Sequence, residues 1–187
     1  MQFLSLKLAA LSLLAASSAA KTIRIDVGSG GKRFSPDSVT AERGDIVEYY
    51  FSGSKHSVVA SDFDKACSPV SAGGFYSGTV QAKGDEPSVF RVNVTTTDPI
   101  FFYCSVGKHC KDGMVGAINP SGDKSLDKFR SNAKGAGGSS SPPSVFGGQL
   151  VKPSEGSAPK PVGAAGSTRA SFILLGGVAA GAAALLS

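Results

Sequence analysis

The chain has 187 residues, with two His, three Cys, two Met and no Trp. That length fits one folded domain with appendages and excludes a multidomain enzyme, and two histidines exclude a multi-histidine metal cluster. The formal net charge is +5, but residues 21–120 hold 11 Lys+Arg against 11 Asp+Glu, so the excess lies as scattered lysines in the flanks and forms no nucleic-acid footprint.

The first segment, residues 1–20, reads as a secretory signal. Lys7 precedes the apolar run Leu8 to Ala16, and Ser18-Ala19-Ala20 supplies small residues for cleavage after Ala20. The run is too short for a membrane span, which needs about 20 apolar residues. Residues 21–120 follow as the expected folded unit. Strand patterns fall at Thr22 to Val27, Ile46 to Phe51, Val89 to Val94, Pro99 to Tyr103 and Met114 to Ile118. Turn signals separate them at Gly28 to Gly31, Gly44-Asp45, Gly73-Gly74 and Gly84-Asp85. Many short strands in a unit of this size predict an all-β, Greek-key β-sandwich. Asn93-Val94-Thr95 is an N-glycosylation sequon, and the alternation of its strand places Asn93 opposite Phe90, Val92 and Val94, toward solvent.

Residues 121–163 are rich in Ser, Gly and Pro, as in Gly135 to Pro143. Such a composition buries too little apolar surface to offset ordering entropy, so a flexible, O-glycosylated stalk is expected, with a weak helical pattern over 124–133. Residues 164–187 end in an apolar block from Phe172 to Ser187, behind a short polar spacer and the small cluster Gly163 to Ser167. Small site, spacer and apolar tail form a glycosylphosphatidylinositol (GPI) attachment signal. Gly163 is the expected attachment residue, with Ser157 and Gly166 as rivals. The protein is then expected at the cell surface, held to the plasma membrane by its lipid, with the cell wall as a further location.

The chemistry concentrates in one short segment. Without Met1, the His, Cys and Met residues number six, and four of them fall within the eleven positions from Cys104 to Met114. A thiolate, two imidazoles and a thioether suit copper, as a trigonal His2Cys set with a weak axial Met. Zinc prefers four Cys, His or carboxylate ligands. The spacing Cys104-x4-His109-x4-Met114 lets one inter-strand loop supply three ligands, with His56 arriving from a neighbouring strand. Cys104 must stay unpaired to act as a thiolate, which leaves Cys67 and Cys110 to pair in an oxidising compartment. That bridge closes a loop for which chain entropy predicts about 4 kcal/mol.

These residues carry a resemblance. His56-Ser57-Val58, Tyr103-Cys104, His109-Cys110 and Gly113-Met114 are similar to the copper site of the cupredoxin family. So are Phe34 to Val39 and Gly44 to Val47. The Cys-x4-His-Cys spacing with an extra disulfide most resembles the phytocyanin branch and its fungal surface relatives. The resemblance covers residues 21–120 and implies one type 1 copper ion in a sandwich of about eight strands, a monomer, and outer-sphere electron transfer. The partner it implies is an unspecified redox protein or small-molecule donor or acceptor. Copper buffering without turnover and a structural surface glycoprotein are the competing functions. No enzyme is expected, because all four coordination positions are filled by protein. Ser57 stands where many relatives carry Asn, which alters the hydrogen bonding behind Cys104. Met114, where some relatives carry Gln, implies a higher potential than theirs.

Overall fold

The computed structural model describes residues 19–82 and 88–152. The expected signal peptide, the Gly84-Asp85 turn, Ser157, Gly163, Gly166 and the tail lie outside these residues, apart from Ala19 and Ala20. Nine strands and one helix follow in order: β1 (Thr22–Val27), β2 (Phe34–Ser35), β3 (Ser38–Val39), β4 (Ile46–Phe51), β5 (Val59–Ser61), β6 (Val89–Asn93), β7 (Ile100–Tyr103), β8 (Val115–Ile118), α1 (Leu126–Gly135) and β9 (Gln149–Val151). Two sheets form, ordered β2-β1-β4-β6-β9 and β3-β8-β7-β5. Most pairings are antiparallel; β1 with β4 and β3 with β8 are parallel. This is an all-β, Greek-key sandwich.

Strand β4 shows why the sheets face each other as they do. Val47, Tyr49 and Phe51 point inward and are fully buried, as the two-residue side-chain period of a strand dictates. Tyr49 packs edge-on against Phe102 of the opposite sheet at 5.3 Å between ring centroids. The alternate residues, Glu48 and Tyr50, lie on the outer face yet are also covered. Glu48 sits across from Arg24 and Arg91 in the ladder. Its carboxylate accepts from Arg91 Nε at 2.8 Å and from the Tyr50 hydroxyl at 2.8 Å, and the Arg24 guanidinium lies 4.0 Å over the Tyr50 ring. A charge buried on a sheet face is tolerated when paired and hydrogen-bonded in this way.

The described fold does not stop at residue 120, which corrects the stalk expected from residue 121. Helix α1 begins at an N-cap, Ser125, whose side chain accepts from the Lys128 N–H. It buries Phe129 and Ala133 completely, and the Phe129 ring packs 4.8 Å from Phe101. Strand β9 then adds to the edge of β6, pairing Val89 with Val151 and Arg91 with Gln149. Composition pointed to a stalk because Ser, Gly and Pro dominate the segment. Its order comes from a few apolar anchors and from backbone pairing, which composition does not register.

The first strand is held at its start by Asp45. One carboxylate oxygen accepts the Lys21 N–H and the other accepts the Glu42 N–H, each at 2.8 Å. These two donors hold the Asp45 carboxyl below its ordinary value. A lowered folded value means the stabilisation is complete above the unfolded carboxylate value, about 4. It is lost as pH falls through the folded value. Asp45→Asn keeps one acceptor and turns an amide N–H toward the other donor. We expect a loss of about 1–3 kcal/mol at neutral pH. The gap to wild type should close as pH falls through the folded value of Asp45, checked by urea unfolding at several pH values.

Candidate metal centre

One end of the sandwich gathers the residues singled out in the sequence. Strand β7 ends at Tyr103 and delivers Cys104 into the interior, while β8 begins just after Met114. The intervening loop is closed across its base, because the Cys104 N–H donates to the Met114 carbonyl at 3.1 Å. It folds back on itself where the Met114 N–H donates to the His109 carbonyl at 2.9 Å. His56 comes from the connection between β4 and β5, fixed by a reciprocal backbone pair with Val80 at 2.8 and 3.0 Å.

The side chains converge. Cys104 Sγ lies 3.9 Å from His56 Nδ1 and 3.3 Å from His109 Nδ1. The two imidazoles are 5.1 Å apart between centroids and tilted by 45°. One donor atom from each of the three residues lies within 4.8 Å of the others. An ion bonded to sulfur and nitrogen at about 2.0–2.3 Å separates those atoms by roughly 3–4 Å, so the cluster has the size of a coordination site. Met114 is fully buried in the same apolar cluster as Cys104.

Burial acts oppositely on the imidazoles and on the thiol. Burial lowers the His56 pKa, and His109 beside it lowers it further. Burial also lowers that of His109, with Lys32 adding and Asp112 opposing. Both shifts favour the neutral imidazole, the form that can offer a lone pair to a cation. Burial raises the Cys104 thiol, offset in part by the Val106 and Ser57 N–H groups and the Ser57 hydroxyl. Cys104 is fully buried and carries no disulfide. Cys67 and Cys110 are joined, with a Cα–Cα distance of 5.8 Å. Ser57 does the work behind the sulfur that the residue type left open. Its N–H donates to Sγ at 3.4 Å, and its hydroxyl accepts the Ser105 N–H at 2.8 Å.

Some contributors were not singled out in the sequence. Gly28 follows β1 and presses its bare backbone against the His56 ring; a Cβ there would collide with that ring and with the Ser52 carbonyl. The run Gly28 to Gly31 reads only as a turn, so nothing in it marks a wall of the site. Ser54 Oγ lies 3.1 Å from His56 Nε2. Lys32 and Asp112 pair at 2.8 Å across 80 residues, beside His109. Asn93 is exposed at the end of β6, as the alternation predicts.

A two-sheet sandwich with an unpaired buried thiol and two converging imidazoles at one end defines a cupredoxin-type protein. No protein-family model matches the chain. It is 41% identical over 150 residues to the probable GPI-anchored cupredoxin-1 of Arthroderma benhamiae, spanning 78% of this chain and 78% of that protein. It is 38% identical over 140 residues to an extracellular serine-rich protein of the same organism, spanning 73% of this chain and 54% of that protein. Among solved structures it is similar to the oxidised plastocyanin of Dryopteris crassirhizoma, at 27% identity and TM-score 0.36, covering 51% of this chain and 96% of that one. It is also similar to the pseudoazurin of Hyphomicrobium denitrificans, at 16% identity and TM-score 0.40, covering 62% and 98%. The chain belongs to the cupredoxin family.

Gly28 offers a test of how tightly His56 is walled in. Gly28→Ala adds a methyl group against the ring at a residue whose φ is +82°. The metal-free variant should lose about 1–3 kcal/mol in chemical denaturation. An unchanged midpoint would mean that His56 does not rest against this turn.

Proposed function

We propose that His56, Cys104, His109 and Met114 hold one copper ion as a type 1 centre, and that the protein serves outer-sphere electron transfer at the cell surface. The observation that carries this reading is the donor set: a buried, unpaired thiol with two imidazole nitrogens 3.3 and 3.9 Å away. Soft sulfur with imidazole selects copper, and the fully buried Met114 supplies a thioether on the same loop. Bound copper supplies a one-electron couple. The protein residues hold that couple in a fixed, dry setting. Cys104 is closed off by the core, and Cys110, next to His109, is tied to Cys67. His109 is the half-exposed member of the cluster, so its ring edge is where a redox partner meets the site. That partner is a redox protein or a small donor or acceptor. With every donor supplied by the chain and no position left for substrate, the reading is of a carrier and not an enzyme.

The chain ends fit a surface carrier. Residues 1–20 act as a secretory signal, with release after Ala20. The Lys21 nitrogen, 2.8 Å from Asp45, then becomes an ammonium held by that carboxylate. Gly163 is the GPI attachment residue and 164–187 the segment exchanged for lipid. The relative from Arthroderma benhamiae bears the description GPI-anchored, which supports this placement. The mature protein is a monomer with a glycan at Asn93.

Copper-loaded wild type should show the intense visible absorption of a thiolate-bound copper(II) and a fast electron self-exchange. Cys104→Ser should abolish the absorption. A colourless copper-loaded wild type would sink the type 1 assignment. Tight copper loading with very slow self-exchange would instead make the protein a copper buffer.

A further inference from the structure

The segment between α1 and β9, residues 136–148, is fixed where it crosses the ligand loop. The Ser140 N–H donates to the Cys67 carbonyl at 3.1 Å, and the Ser140 carbonyl accepts the Tyr103 hydroxyl at 2.7 Å. Ser141 Oγ then donates to Ser105 Oγ at 2.6 Å. Farther along, Phe146 and Tyr76 exchange backbone hydrogen bonds of 2.9 and 3.1 Å. The segment is a strap, anchored on both sides of Ser141.

From Ser141 a row of side chains leads inward. Ser105 Oγ lies 2.8 Å from Ser57 Oγ, and Ser57 Oγ lies 3.9 Å from Cys104 Sγ. The row begins at an exposed serine and ends at a fully buried sulfur. Each hydroxyl has one proton to give and two lone pairs to receive. Ser57 already receives the Ser105 N–H, so its single proton has two destinations: outward to Ser105 Oγ or inward to the sulfur. A donor arriving at Ser105 from Ser141 polarises the row in one direction, since hydrogen bonds in series reinforce one another.

We propose that Ser141 is a positioning residue for the metal centre. By donating to Ser105 it turns the Ser105 proton toward Ser57 and leaves the Ser57 proton to the Cys104 sulfur. The strap is then part of the site. The electronic consequence rests on the copper reading given above; the hydrogen-bond row does not. A hydrogen bond to the thiolate draws charge from sulfur and disfavours the more highly charged copper, so it raises the potential.

The test uses the full secreted chain with Ser141→Ala and with Ser141→Thr, which keeps the hydroxyl. Copper-loaded Ser141→Ala should have a lower reduction potential and a thiolate-to-copper band shifted to lower energy, with Ser141→Thr restoring both toward wild type. In the metal-free protein, the NMR resonances of Ser57 and Cys104 should move in Ser141→Ala and stay in place in Ser141→Thr. An unchanged potential and band in Ser141→Ala, or metal-free shifts confined to Ser105 and the strap, would overturn the proposal. A colourless wild type would defeat the copper reading alone, and the metal-free comparison would still decide the row.

Discussion

The structure depends on a loop whose base is closed by its own backbone. Cys104 and Met114 face each other across the base of the β7–β8 connection, joined by a backbone hydrogen bond of 3.1 Å. Between them the chain turns back, so that the His109 carbonyl receives the Met114 N–H. Cys110 is tied to Cys67 from a distant part of the chain. These three fastenings leave His109 little freedom to swing. The sandwich then has one remaining task, to bring His56 to the same place, and it does so through the Val80 pair and the bare backbone of Gly28. A one-electron carrier benefits from such an arrangement, because a site that is already shaped need not rearrange when the charge on its ion changes.

Much of this was legible in the sequence, for reasons that differ between the parts. The five expected strands appear as β1, β4, β6, β7 and β8, each within a residue or so of its expected ends. Strands β1 and β6 alternate, and β4 is marked instead by its β-branched and aromatic residues. Strands β2 and β3, of two residues each, are too short to carry a period. Strand β5 is only three residues long and buried throughout, so it shows neither length nor period. The candidate ligands stood out because His, Cys and Met are scarce here and clustered. Gly28, Ser105 and Ser141 did not, because glycine and serine are common and their role depends on what lies across from them in space.

The C-terminal extension shows the limits of reading order from composition. A run such as Gly137 to Ser141 has no apolar side chain to bury. It is nevertheless placed by hydrogen bonds from the backbone of Ser140 and from the Tyr103 hydroxyl. The helix before it and the strand after it supply the anchors, through Phe129 and through pairing with β6. The folded unit therefore extends through residue 152, and a fragment ending at residue 120 would leave Phe101 without Phe129 and Tyr103 without Ser140. The strap also changes how the stalk is understood. What was expected to be a spacer between domain and membrane begins as a cover laid over the disulfide and the ligand loop.

The central claim is that the fold sets the metal centre in advance. Crystal structures of the metal-free, copper(I) and copper(II) forms test it most directly. The account predicts that Cys104 Sγ and the Nδ1 atoms of His56 and His109 keep their mutual positions in all three, with the β7–β8 loop unchanged. A metal-free form in which His109 turns away from Cys104, or in which the loop refolds on loading, would contradict it.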